Sequence, residues 1–384
     1  MVKQLNLIFK VLFGLYVLTF ISCSDKDTNI LDPEILETKY LWSIDALGSF
    51  IQPLHKEDSY FIFPTDFESR ELFLLRLEEK SGDTIYSVKL LDFDDAPTFG
   101  MTHAYIENTE IHLVLNNSFY KIDLNSGLIK TTYSFPNYLW RSNIEDQFIY
   151  TCSFKEEPFG FYYAYFDKNI GEQKVIYEEN LEEGQSALIG HAPMVCDDGL
   201  AFPLSMATAS VAENYLMKVT EDSIIKVEID FTDNWIGGPV FDDDENIYLY
   251  MVDKMIAYKK SDLSVQWELN TVKGGSGPHY QTDEKIYMLQ SRTVASGNIM
   301  YIIDKITGDK KVVISPQSYS NIEQVGNYIY FIGSGEFLKF DMITEKFVSE
   351  REEVRPGFGH QPIFGISSNS KIVQDFKGWH CYPW

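Results

Sequence analysis

The sequence predicts an all-β fold: an eight-bladed β-propeller with four antiparallel strands per blade. Three observations carry that prediction. A strand–Asp–turn–Gly–strand signature returns at intervals of roughly 44 residues. A second hairpin with an Asp- or Gly-containing turn lies upstream in each unit, which makes four strands per repeat. Aromatic residues make up 15% of the chain, with 24 Tyr and 27 Phe, and such flat, stiff side chains suit pleated surfaces.

The signature reads Phe119-Tyr120-Lys121-Ile122-Asp123, then Leu124-Asn125-Ser126-Gly127. It returns before Asp167 and Gly171, and again before Asp304 and Gly308. A worn copy carries Asp341 and Glu345, and an earlier one leads to Gly82. Apolar alternation turns one side of the strand inward. Asp opens a tight turn, and Gly supplies the positive φ that the turn needs. The upstream hairpin is clearest at Pro239-Val240-Phe241, with an acidic turn before Ile247-Tyr248-Leu249-Tyr250. That turn, Asp242-Asp243-Asp244-Glu245, reads as solvated, because it lacks the spaced ligands and the Gly of a calcium loop.

Taken in order, residues 1–22 read as a secretory signal. Lys3 and Lys10 precede an apolar run over 11–21 that is short for a membrane span. The ending Phe20-Ile21-Ser22-Cys23 resembles the lipobox of bacterial lipoproteins. In that family the chain is cut before the cysteine, so the resemblance implies a lipidated, palmitate-bearing Cys23. Residues 23–38 are then the lipidated cysteine and a polar tether that begins Ser24-Asp25-Lys26-Asp27. Such an acidic tether resembles surface-export signals of Gram-negative lipoproteins. It implies an outer-membrane, lipid-anchored, surface-exposed protein.

Residues 39–384 read as a single propeller domain. Outer strands end near Leu90, Phe135, Glu178, Ile229, Leu269, Ser315 and Ser349. Trp42 lies in an outer-type strand with nothing before it, and residues 360–384 supply inner strands with nothing after them. The N-terminal strand therefore joins the C-terminal blade, and closure removes an exposed edge. Seven blades is the alternative, if the final segment is not a blade of its own. The charged run from Glu345 to Arg355 reads as a loop. Cys152 and Cys196 either pair between neighbouring blades or remain buried thiols.

The pattern Pro-apolar-apolar, turn, apolar-Tyr-apolar, then apolar-x-x-Asp-x-x-Thr-Gly-x-x-x-Trp resembles the pyrroloquinoline-quinone-type propeller repeat. The similarity covers most of residues 40–384. Non-enzymatic relatives include the propeller lipoprotein of the barrel-assembly machine. The enzymes with this repeat need an adjacent cysteine pair, calcium-binding acids and a catalytic Asp. The chain has no Cys-Cys pair, so no quinone cofactor is expected.

Four of the seven histidines recur with a neighbouring glycine: His103, His191, His279 and His360, spaced by 88, 88 and 81 residues. On the eight-blade count they fall in blades two, four, six and eight, at the start of the innermost strand. Blades three and seven share Ser142-Asn143-Ile144-Glu145 and Ser320-Asn321-Ile322-Glu323. Three uses are open. The imidazoles pack and hydrogen-bond between blades, placed there by duplication of a two-blade unit. They line a polar axial mouth for a hydroxylated or acidic ligand, with Trp140 and Arg141 stacking on it. Or two or three of them bind a divalent metal together with Glu145 or Glu323.

A net charge of −25 repels phosphate backbones, so no nucleic-acid partner is expected. No GxSxG, HExxH or phosphate-loop motif occurs. The expectation is a non-catalytic cell-envelope lipoprotein whose propeller binds a protein partner or a polysaccharide at the axial face. The alternative is a metal-assisted polysaccharide lyase, or another carbohydrate-active enzyme, with a histidine-lined axial site. The sequence sets no oligomeric state.

Overall fold

The outer turn of the repeat organises each blade. In a computed structural model of the chain, the Asp123 carboxylate accepts the backbone N–H groups of Asn125 and Ser126 at 3.1 and 2.9 Å. The Gly127 N–H returns to the Asp123 carbonyl at 2.8 Å, with Gly127 at φ +72°. Asp167 with Gly171 and Asp304 with Gly308 repeat this turn. In blade five Leu263 takes the left-handed position at φ 57°, and in blade seven Glu345 does so at φ 51°. Both carry a Cβ that this conformation disfavours.

The described residues run from Leu41 to Pro383, leaving aside 45–50, 67–68, 93–102, 116, 136–138, 156, 189–190, 209–211, 230–239, 252, 272–274, 292–297, 316–318, 334–335, 349–351, 354–363, 368 and 376–377. They belong to one compact unit, Tyr40–Trp384. Eight antiparallel sheets follow one another: residues 54–92, 103–134, 139–180, 186–228, 240–270, 275–315, 319–353 and 364–383. These are blades one to eight of a β-propeller, and no helix occurs among the described residues. The seven-blade alternative is excluded, because the final segment forms its own sheet. Its fourth strand is Trp42–Ile44, which pairs antiparallel with Gly378–Pro383. Trp42 faces Cys381 and Ile44 faces Trp379 in that pairing.

Four outer-strand aromatics, Trp42, Tyr86, Tyr133 and Trp267, cap a glycine of the next blade. A Cβ on Gly82 would stand 2.5 Å from Trp42, and one on Gly127 would stand 2.7 Å from Tyr86. On Gly171 it would meet Tyr133 at 2.4 Å. Three caps also donate a hydrogen bond to the same carbonyl position. Trp42 Nε1 reaches Glu79 O at 2.7 Å, Tyr86 Oη reaches Leu124 O at 3.0 Å, and Trp267 Nε1 reaches Lys305 O at 2.8 Å. The core accordingly lies in the seams between blades. One cluster joins Phe61 and Leu74 to Ile111 and Leu113, and another joins Tyr248 and Trp267 to Ile286 and Tyr301. Burial of these aromatic and aliphatic faces is the main favourable term holding blade to blade.

The closing seam is tied by Glu79 of blade one, which is 2% exposed. It accepts hydrogen bonds from Ser370 Oγ at 2.7 Å, from Ser367 Oγ, and from His55 Nε2 at 3.2 Å. Ser367 and Ser370 belong to blade eight, so a charge-assisted network joins first and last blades.

Two expectations need correction, and an open alternative is decided. The acidic turn is not simply solvated. Asp242 pairs with Lys260 at 2.7 Å, and Asp243 accepts from Tyr248 Oη at 2.7 Å and pairs with Lys305 of blade six at 3.0 Å. Only Asp244 and Glu245 stand in solvent. The charged run of blade seven is not all loop. Lys346–Phe347 and Glu352–Glu353 both pair with Glu336–Asp341. Of the two alternatives for Cys152 and Cys196, buried thiols hold: the two form no disulfide and lie in different seam clusters.

Candidate functional site

The inner strands carry the candidate residues, and hairpin register decides where each side chain points. His103 lies four residues before Glu107, which closes its hairpin opposite Glu110. His279 lies three residues before Thr282, whose N–H meets the Lys285 carbonyl at 2.9 Å. His191 lies five residues before Cys196, which faces Gly199. The three therefore occupy successive register positions rather than one ring position. Strand side chains alternate, so neighbouring positions face opposite sides of the sheet. In register, His279 corresponds to Ala104, and His103 to Pro278.

The surroundings agree with that parity. His103 is exposed at the start of its strand, on the face turned to blade three, with Tyr105 at 6.0 Å between ring centroids. Protein mass around it still depresses its pKa. His279 faces blade five instead. Its ring stacks on Phe241 at 3.8 Å and 18°, and burial pushes its pKa down to about 4. His191 is half-buried in a break of blade four's inner strand, between Ser186–Leu188 and Met194–Cys196. His360 lies outside the described residues, as does the lipidation candidate Cys23.

The equivalence of the two Ser-Asn-Ile-Glu segments is also corrected. Glu145 pairs with Phe148 at the hairpin end, where Val325 pairs with Tyr328 in blade seven. Glu323 pairs with Tyr330 and matches Asn143, which pairs with Tyr150. The segments are thus two residues out of register. Glu145 sits at the turn end of its inner strand, the end opposite to that of His103. Trp140 is the extra residue of a bulge between Leu139 and Arg141, and Ser320 is its counterpart between Tyr319 and Asn321. Among the described residues, no three His, Cys, Asp or Glu side chains converge as a metal site would require.

Two polar groupings escaped the sequence reading. At the seam of blades two and three, Tyr105 Oη lies 2.7 Å from His112 Nδ1 and accepts from Lys168 Nζ at 2.8 Å. His112 Nε2 lies 3.3 Å from Glu110, and Lys168 also pairs with Glu107 at 3.2 Å. Burial depresses the His112 pKa against the pull of Glu110 and Glu107. This network is fully engaged and joins two blades. The available signal was the residue after the signature Asp, since Lys168 and Lys305 both occupy it. Between blades four and five lies a groove of about 630 Å³, lined by Asp197, Asp198, Lys218, Asp244, Lys259 and Lys260. Lys218 is already held there by Asp198 at 2.7 Å.

No family model matches the chain, and no curated protein matches it. Solved structures do resemble it. The computationally designed Ika8 protein superposes with a TM-score of 0.61 at 5% identity, over 90% of this chain and 98% of that one. BamB from Moraxella catarrhalis gives a TM-score of 0.56 at 11% identity, over 90% of this chain and 99% of that one. A prolyl endopeptidase gives 0.51 at 10% identity, over 87% of this chain and 55% of that one. At such identities the likeness is one of fold.

Proposed function

We propose that the protein is a non-catalytic lipoprotein, anchored through Cys23 to the outer membrane and facing outward, whose propeller holds an envelope protein partner. The observation that carries this reading is the stacking of His279 on Phe241. A ring stacked face-on against an aromatic of the neighbouring blade, and kept neutral by burial, packs as part of the wall. The register offset between His103 and His279 supports the same view, since the two face opposite seams. Fold likeness to BamB from Moraxella catarrhalis adds support at the level of architecture.

In this reading the lipid and the polar tether over residues 23–38 set the address, and the closed ring supplies a rigid body. A protein partner then gains affinity from contacts already in place, with little ordering cost. The test is metabolic labelling with an alkyne palmitate analogue, followed by membrane fractionation. Labelling of the wild-type chain, its loss in Cys23→Ser, and release of that variant together with its partner from the membrane are the expected results. An unlabelled wild-type chain, or a labelled one that retains no protein from its own membranes, contradicts the proposal.

A further inference from the structure

The rim of a propeller is where its sheets end. An outer strand offers N–H and C=O groups along its free edge, and natural proteins guard such edges with charged or polar side chains. The described outer strands of blades one, two, four and five each expose one apolar side chain, Ile85, Ile129, Ile224 and Val265. Ser87 and Lys89, Thr132 and Ser134, Lys226 and Glu228, and Glu268 and Asn270 hold further exposed positions of those strands. Blade three exposes Glu172, Lys174 and Glu178, with Val175 as a single valine among them.

Blade six exposes two apolar side chains, at alternate positions. Its outer strand, Lys310–Ser315, pairs with Asn298–Asp304, and no strand among the described residues covers its other edge. Val313 turns into the seam with blade seven. Val312 and Ile314 face the other way and are 50% and 76% exposed. No other described outer strand exposes two apolar side chains in alternation. Ile306, at the turn just before, is 76% exposed, and Val265 of blade five is 54% exposed. Gln266 Nε2 donates to Ile306 O at 3.4 Å, so these two belong to the same sector of the rim.

The charge is local too. The strand holds two lysines and no acid, in a chain of net charge −25; Lys311 shares Glu345 of blade seven with Lys285, and the Lys310 ammonium donates to the Asn270 carbonyl and meets no acid among the described residues. It therefore reads cation, cation, then three β-branched residues. That surface complements an extended segment with apolar side chains at alternate positions and an acidic end. A second copy of the chain is disfavoured as occupant, because two bodies of charge −25 repel.

We infer that the outer edge of blade six, Lys310–Ser315, takes up an extended, acidic-ended segment of the protein partner by strand addition, alongside Val312 and Ile314. This inference rests on the proposed partner-binding role and gives it a place and a chemistry.

The test uses the lipidated full chain in detergent and two synthetic peptides of equal composition. One alternates Val, Ile and Tyr with polar residues and ends in Asp-Glu. The other has its apolar residues clustered. Fluorescence anisotropy should show the alternating peptide binding about tenfold tighter or more, ~1.4 kcal/mol. Its binding should slow amide exchange within 310–315. Val312→Lys with Ile314→Lys should abolish both effects, and Ile314→Thr should weaken binding should the double variant not fold. Equal binding of the two peptides, no protection of the edge, or self-association abolished by the same substitutions overturns the inference. If the double variant still retains the membrane partner, the inference fails while the partner-binding role stands. If the wild-type chain retains none, that role itself fails.

Discussion

The Trp267 indole lies flat over Gly308 of the next blade, with its Cγ and Cδ2 2.8 Å from where a Cβ on that glycine would stand. Its Nε1 donates to the Lys305 carbonyl at 2.8 Å. One contact thus accounts for both the glycine and the aromatic of the repeat. Gly308→Ala combines a strained left-handed backbone, φ +75°, with a clash, so it should lower stability by roughly 1–3 kcal/mol. Trp267→Phe keeps the cover and loses the hydrogen bond, for about 1 kcal/mol. Chemical denaturation of both variants checks the order. Equal stability of Gly308→Ala and wild type would remove this account of the repeat.

Ring closure should depend on acid. Burial opposes ionisation of Glu79, but hydrogen bonds from Ser367, Ser370 and His55 outweigh it and hold its carboxyl below the usual value of 4.5. A lowered carboxyl pKa contributes stability that is fully present above 4.5 and is lost as pH falls through the folded value. Melting temperature against pH should therefore drop more steeply below 4.5 for wild type than for Glu79→Gln. Parallel curves would show that the network carries no such linkage.

His279 should follow the same rule in a higher pH window. Its pKa falls from 6.5 to about 4 on folding, so the folded state binds fewer protons between those values. Stability is then greatest above 6.5 and declines as pH drops towards 4. His279→Phe preserves the stack on Phe241 and should remove that decline while leaving stability at neutral pH nearly unchanged. Proton titration of the imidazole by NMR gives a direct check, and a pKa near 6.5 would contradict the buried stack.

The thiols should be silent in the native state. Cys152, Cys196 and Cys381 are buried and form no disulfide, and burial pushes Cys196 up to about 11 and Cys381 up to about 12. Alkylation at neutral pH should reach none of the three before unfolding and all of them after it. A reductant should leave the melting temperature unmoved. A reductant-sensitive melting temperature would point to the pairing of Cys152 with Cys196 that the structure does not contain.

The blades were legible because their signals are local. Asp123 and Gly127 are four residues apart and build their own turn, and the outer-strand endings of blades one to six came within about two residues. Blade seven, where Glu345 replaces the glycine, was the one misread as a loop. Trp42 was legible as the closing strand because an aromatic outer strand had no blade of its own. The site was not legible in the same way. Equal spacing of His103, His191 and His279 suggested equal places, but side-chain direction depends on hairpin register. Bulges before His279 and at Trp140, and the break around His191, shift that register one residue at a time. The tie between Lys168 and Tyr105 joins residues 63 apart, and no local pattern encodes such a pairing.

The central claim is that the axial histidines belong to the wall and that a protein partner is the ligand. The most direct measurement compares lipidated wild type with a His103→Ala, His279→Ala variant for retention of the same membrane protein, quantified per chain in detergent. The account predicts equal retention, and no ultraviolet-absorbing product when either chain is incubated with a panel of uronate polymers. Retention lost in the variant, or an unsaturated uronate product formed by wild type and abolished by a chelator, would contradict it.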